Sequence, residues 1–311
     1  MSKTAFIFPG QGAQYVGMGQ DFYEKIPVCK KVIDKASEVT GLDLPALCFE
    51  ENEKIHITEY TQIAMLSVSV AILEAVWEQG LTSCVNAGLS LGEYGALAAS
   101  KVMSLEDIFA VVRKRGIYMQ EAVPTGGAMA AVLGCDAGVI EKICQDTEGI
   151  VSIANYNCPG QIVITGEESA VQAAGESLKT AGARRVLPLK VSGPFHSQML
   201  TGAGQKLGEV LDSVTVCDFE VPYVSNVTAE YVTDPEQVKP LLVRQVSSSV
   251  CWQQSVENMI SQGVDTFIEI GPGRTLTGFM RKINRNVKAF NIEKLEDMEK
   301  VIKGVKGNVR E

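Results

Sequence analysis

Short uninterrupted apolar runs alternate along this chain with longer stretches whose apolar positions recur at helical spacing, a pattern of buried strands separated by helices. The first run, residues 5–8 within TAFIFPGQGAQ, predicts a strand closed by a Pro-Gly turn and a Gly-rich loop. Helical patterns follow over 20–35 and 64–78. A second apolar run near Val85 enters Gly88-Leu89-Ser90-Leu91-Gly92, and the Ala- and Leu-rich stretch 93–100 predicts a helix directly after it. Residues 222–225 and 265–270 are further strand candidates, the latter closed by Gly271-Pro272-Gly273. Such alternation predicts an α/β fold with a mostly parallel sheet covered on both faces.

Between residues 127 and 191 the order changes. Strand 128–133, helix 137–146, strands 150–154 and 161–165 separated by the turn-rich NYNCPG, helix 169–181 and strand 185–191 form βαββαβ, the ferredoxin-like split unit. Both ends of this unit return to the main pattern. The expected organisation is therefore a large α/β domain of residues 1–126 and 194–311 with a small subdomain, 127–193, inserted in it.

Composition narrows the functional classes. With 46% hydrophobic and 21% charged residues and 29 Gly spread throughout, the 311-residue chain reads as an ordinary folded α/β protein. A net charge of −9 without a concentrated basic segment argues against nucleic acid. The apolar stretch 5–8 is too brief for a signal peptide, and no other uninterrupted apolar run approaches spanning length, so no membrane role is expected. Eight Cys without paired spacing predict scattered reduced thiols in a cytoplasmic protein, and no metal site.

Only two His are present, so imidazole chemistry has two candidates, His56 and His196. Gly88, Ser90 and Gly92 form G-x-S-x-G between a buried strand and a helix, the setting in which a tight turn presents the Ser as a nucleophile. Elsewhere the same string is often only a helix cap. A Ser hydroxyl needs a base near neutral pH. His56 lies in polar ENEKIHITEY and reads as a surface residue. His196 lies in Ser192-Gly193-Pro194-Phe195-His196-Ser197, where the inserted unit rejoins the large domain, and is the better base. Gln11, flanked by Gly10 and Gly12, joins the Leu91 N–H as a candidate oxyanion hole. The residues alone describe an acyl transferase or hydrolase using Ser90 and His196, with the acyl group open.

Several motifs together resemble the malonyl-CoA:acyl carrier protein transacylase family across nearly the whole chain. They are FPGQGAQ from Phe8, GLSLGEY from Gly88, Arg115-Gly116 with Met119-Gln120, NYNCPGQIVITG from Asn155, GPFHS from Gly193, Gln245 with Trp252, and EIGPG from Glu269. The resemblance implies an α/β-hydrolase-like large domain with a ferredoxin-like insert. It implies that Ser90 carries the acyl group, that His196 is the base, and that Gln245 offers its backbone carbonyl to the imidazole. Gln11 and Leu91 would hold the oxyanion, and Arg115 would pair with the malonyl carboxylate through two parallel hydrogen bonds. On residues alone, Arg115 after Arg113 and Lys114 reads as a solvated helix charge. Asn157 falls among the implied substrate-binding residues. So does Phe195, since in related polyketide acyltransferases a Phe before this His goes with malonyl and a smaller residue with methylmalonyl.

The implied partners are malonyl-CoA and acyl carrier protein. The protein is expected to act as a monomer without a cofactor of its own, because the substrates carry the phosphopantetheine. Arg281, Lys282, Arg285 and Lys288 are available to steer an acidic carrier, against the plainer reading of a solvated helix face. Many family members carry His just before the nucleophile, whereas Leu89 stands here. Competing readings are another acyl-CoA as donor, a thioesterase-like hydrolase, and a non-enzymatic carrier-docking component. The last would be expected to lose Ser90 or His196, and both are present.

Overall fold

A computed structural model describes residues 2–307; Met1 and residues 308–311, the end of the expected large domain, lie outside the described residues. Among the described residues the ten strands are β1 (Thr4–Phe8), β2 (Val85–Gly88), β3 (Gly127–Leu133), β4 (Val151–Cys158), β5 (Gln161–Glu167), β6 (Arg185–Pro188), β7 (Tyr223–Val224), β8 (Tyr231–Val232), β9 (Thr266–Ile270) and β10 (Lys288–Ile292). They form two sheets. A six-stranded sheet runs β10-β9-β1-β2-β7-β8, parallel throughout except for the β7–β8 pair. A four-stranded antiparallel sheet runs β4-β5-β3-β6.

Strand β1 shows why the parallel sheet is continuous in apolar residues. Phe6 and Phe8 face one core with the helices Pro27–Thr40, Thr58–Glu78 and Leu105–Glu121, whereas Ala5 and Ile7 face a second core with Trp252, Val256 and Leu276. A strand covered on both faces has no polar side to alternate with. The smaller sheet has its own core, in which Ile140, Ile153, Ile164 and Leu178 meet.

Four expectations need correction. The stretch 20–35 is two helices, Gln20–Lys25 and Pro27–Thr40, because Pro27 cannot donate to a preceding turn and holds Ile26 extended. NYNC is not a turn: β4 continues through it to Cys158, taking register shifts at Ile153/Asn155 and Tyr156/Cys158, and only Pro159-Gly160 turns. β8 and β10 were not anticipated; the first is two residues long and the second opens on the exposed Lys288 at the sheet edge. The helix expected from residue 64 begins at Thr58, and its 21 residues are long and apolar enough to cross a membrane by composition. Most of it is instead buried as the central helix of the main core.

The site lies where the parallel strands end. β1 runs into Gly10-Gln11, β2 into Ser90 and β9 into Gly271, so three loops converge at one sheet edge, the place where open α/β sheets bind ligands.

Candidate active site

The turn after β2 is forced by its glycines. A Cβ on Gly88 would overlap the backbone of Gly92, and one on Gly92 would overlap the carbonyl of Phe8. Ser90 between them has φ 54°, a left-handed value that non-glycine residues adopt only where surroundings impose it. Asn226, just after β7, imposes it: its Oδ1 accepts from Ser90 N at 2.7 Å and its Nδ2 donates to Gly88 O at 2.6 Å. The hydroxyl is thereby held over the N-terminus of the helix Gly92–Ala99.

His196 meets it from the other side. Its Nε2 is 2.7 Å from Ser90 Oγ, and its Nδ1 is 2.9 Å from the Gln245 carbonyl. A carbonyl only accepts, so Nδ1 carries the proton and the Nε2 lone pair faces the hydroxyl. Burial, followed by the neighbouring Arg115 cation, pushes the imidazole down to about 4, against its hydrogen bonds to the backbone at Gln245 and Ser248. At neutral pH it is therefore uncharged and able to take the Ser90 proton.

Arg115 is the largest departure from a plain reading of the residues. It is 1% exposed, whereas Lys114 is exposed and Arg113 pairs with Glu59 at 2.9 Å. Its Nη1 donates to Gln62 Oε1 at 2.6 Å, and Nη2 donates to Gln245 Oε1 at 2.9 Å and to Ser90 Oγ at 3.2 Å. Tyr94 lies beneath the guanidinium, 5.5 Å from ring centroid to carbon. Burial pulls the group below its ordinary value, with Tyr94 and Glu93 acting the other way, but a guanidinium stays charged in such settings.

A cavity of about 400 Å³ opens above this constellation, lined among others by Gln11, Ser90, Leu91, Asn157, Phe195 and His196. Gln11 is fixed from behind, its Nε2 donating to Thr58 Oγ1 at 3.0 Å, while a Cβ on Gly10 would stand 2.6 Å from Leu89 O. That close approach brings the β1 loop against the turn that carries Ser90. Asn157 is 7% exposed, and its Oδ1 is buried without a hydrogen-bond partner. Phe195 is also 7% exposed and belongs to the main core as well as to the cavity wall.

A larger hollow of about 600 Å³ lies beside Arg281, Lys282 and Arg285, but none of its lining residues belongs to the Ser90–His196 constellation, so the smaller cavity is the site. His56 is exposed in the short turn Lys54–His56 and does not line the cavity. Leu89 lines the cavity with a side chain that cannot act as a second imidazole.

Three site residues were not anticipated: Asn226, Gln62 and Glu93. Glu93 carried a legible signal, as the one charged residue of the helix Gly92–Ala99, whereas Gln62 shares its helix with Glu59, Thr61, Ser67 and Glu74 and carried none. Asn226 follows the two-residue β7, where nothing in the local pattern marks it.

The acyl transferase domain profile matches residues 5–311. A malonyl CoA-acyl carrier protein transacylase of Bacillus subtilis (strain 168) is 45% identical over 311 residues, covering 98% of each chain. The crystal structure of a malonyl CoA-acyl carrier protein transacylase from Clostridium perfringens superposes with a TM-score of 0.95 at 42% identity, covering 98% of each chain. A malonyl-transacylase solved in complex with its type II PKS acyl-carrier protein superposes with a TM-score of 0.94 at 39% identity, over 97% of this chain and all of that one (100%). Likeness of sequence and fold over the whole length leaves one assignment: this chain belongs to the acyl transferase domain family, among the members named malonyl CoA-acyl carrier protein transacylases.

Proposed function

We propose that this protein transfers the malonyl group of malonyl-CoA to the phosphopantetheine thiol of an acyl carrier protein through a malonyl-Ser90 intermediate. His196 Nε2 takes the Ser90 proton as Oγ attacks the thioester carbonyl. The backbone N–H groups of Gln11 and Leu91 receive the developing oxyanion. Expulsion of CoA as a thiol uses the proton now on His196, and the carrier thiol then attacks the acyl-serine by the same route reversed. The Gln245 carbonyl keeps the imidazole in one tautomer throughout.

The observation that carries the malonyl assignment is Arg115. Among the described residues no carboxylate forms an ion pair with it, yet it is buried against the nucleophile. A desolvated guanidinium in an acyl cavity suits an acyl group with a free carboxylate, which it can bind through two parallel hydrogen bonds. Asn157 and Phe195, which line the cavity, are assigned to substrate binding.

In this reading residues 1–126 and 194–311 make an α/β-hydrolase-like domain and 127–193 a ferredoxin-like insert, supported by the antiparallel order β4-β5-β3-β6 within βαββαβ. The enzyme works as a cytoplasmic monomer, needs no cofactor of its own, and supplies fatty-acid or polyketide chain extension. Intact-mass measurement after mixing with malonyl-CoA tests the central step. One malonyl increment is expected on the protein and none on Ser90→Ala; a stable adduct on Ser90→Ala would remove the assignment.

A further inference from the structure

The carboxyl of Glu93 is buried beneath the nucleophile, 0% exposed, in the first turn of the helix Gly92–Ala99. One oxygen, Oε2, accepts from Gln245 Nε2 at 2.6 Å and from Asn226 N at 3.4 Å. The other, Oε1, is buried without any hydrogen-bond partner. An ionised carboxylate accepts at both oxygens and is costly to bury with one of them bare. The Arg115 guanidinium lies nearby, yet it turns to the neutral acceptors Gln62, Gln245 and Ser90, and its Nε is left buried without a partner. A buried cation and a buried carboxyl share a neighbour, Gln245, without pairing with each other.

We propose that Glu93 works as an uncharged acid, so that Arg115 keeps no internal counter-ion and the malonyl carboxylate becomes its partner. Glu93 is then a positioning residue. It orients the Gln245 amide so that Oε1 faces Arg115, and it withholds the negative charge that would compete with substrate. The inference rests on the malonyl role given to Arg115 above.

The groups around Glu93 agree with this. Burial pushes Glu93 up to about 8, against the downward pull of Gln245, Asn226 and Arg115. Tyr94 on the same helix and Tyr223 on β7 are pushed upward by burial and stay neutral, and His196 beside Arg115 is pushed down and is also neutral. Among the described residues, Arg115 is thus the only charge facing this carboxyl.

The sign of the stability effect follows. The folded protein holds the Glu93 proton while the unfolded chain releases it near ~4.3, so stability is lost as pH rises between that value and about 8. Thermal unfolding of the wild type and Glu93→Gln should show a gap in Tm that widens in favour of the variant from about pH 5 to about pH 8 and then levels off. Parallel curves over this range would overturn the proposal.

Kinetics supply the second arm. Wild-type KM for malonyl-CoA should climb about tenfold per pH unit above about pH 8, as Glu93 ionises and occupies Arg115, while KM for acetyl-CoA stays flat. This arm needs no variant, so it holds even if Glu93→Gln does not fold, and a flat malonyl curve would overturn the proposal. Whatever its activity near neutral pH, Glu93→Gln should lose the alkaline rise in KM for malonyl-CoA. A much lower malonyl KM in that variant at neutral pH would show that a charged Glu93 had been competing. Failure of the malonyl reading itself looks different: Arg115→Ala would damage malonyl and acetyl transfer equally, while the melting comparison would still report the charge on Glu93.

Discussion

The backbone carbonyl of Gln245 stands 2.9 Å from His196 Nδ1, so the proposed base is oriented by an uncharged group where many serine enzymes use a carboxylate. Buried, with the Arg115 cation close and no anion beside it, the imidazole has little to hold a second proton. His196 φ is 61°, so its backbone is also held in the left-handed region to reach this position.

One consequence is the acid limb of the pH profile. The group is neutral above about 4, where an unperturbed imidazole would begin to charge near ~6.5. Acylation measured as kcat/KM should therefore hold through mildly acidic pH and fall only near 4, provided the fold persists. The depressed value also means that stability contributed by the neutral imidazole is lost as pH falls from ~6.5 through about 4. An acid limb centred near ~6.5 would show that His196 is not the titrating base.

His196→Ala should slow acylation about a hundredfold or more, the usual contribution of a positioned base. His56→Ala should change little, since that residue is exposed in the turn Lys54–His56. Single-turnover mass measurements on both variants separate the two, and a large loss at His56 would reverse the choice of base.

Arg115→Ala should damage malonyl transfer far more than acetyl transfer. Only malonyl carries a carboxylate, and losing one side of a desolvated charge pair costs about 2 to 5 kcal/mol. The check is the ratio of kcat/KM for the two acyl groups. Equal losses would make Arg115 a structural residue joining Gln62, Gln245 and Ser90.

Asn226→Ala tests the clasp on the turn at Ser90. It leaves Ser90 N–H and Gly88 O without their side-chain partner, and an unsatisfied buried group costs about 1 to 3 kcal/mol. Denaturant unfolding should show a loss of that order, with acylation slowed because the φ of 54° at Ser90 is no longer enforced. Unchanged stability would mean that Gly88 and Gly92 alone hold the turn.

Much of this site was legible because its parts are local. The turn at Ser90 is specified by Gly88 and Gly92 within five residues, and a strand before and helix after it can be read from apolar pattern. His196 followed from scarcity, since the chain has two His. What stayed hidden is nonlocal. Arg115 sits beside Arg113 and Lys114 in the sequence, and only the packing of Leu105–Glu121 against Thr58–Glu78 decides which of the three is buried. Asn226 reaches Ser90 across 136 residues through the pairing of β2 with β7. NYNC misled because Asn and Pro mark turns on average, whereas the register shifts in β4 let it remain a strand and place Asn155 and Asn157 on the cavity side.

Phe195 supplies the last prediction. It immediately precedes the proposed base, lines the cavity and packs into the main core, so both a selecting and a purely structural role begin from the same position. The selecting role has a steric basis: a ring held at the acyl cavity beside His196 leaves little room for a methyl on the carbon between the two malonyl carbonyls. Phe195→Ser removes that ring. The ratio of kcat/KM for methylmalonyl-CoA to that for malonyl-CoA should rise by about 1 to 3 kcal/mol, the range one methyl group contributes in an apolar pocket. Total activity should fall through lost core packing, which affects both substrates, so the ratio is the informative quantity. Measured on a variant shown by thermal melting to be folded, an unchanged ratio would leave Phe195 with packing as its whole role.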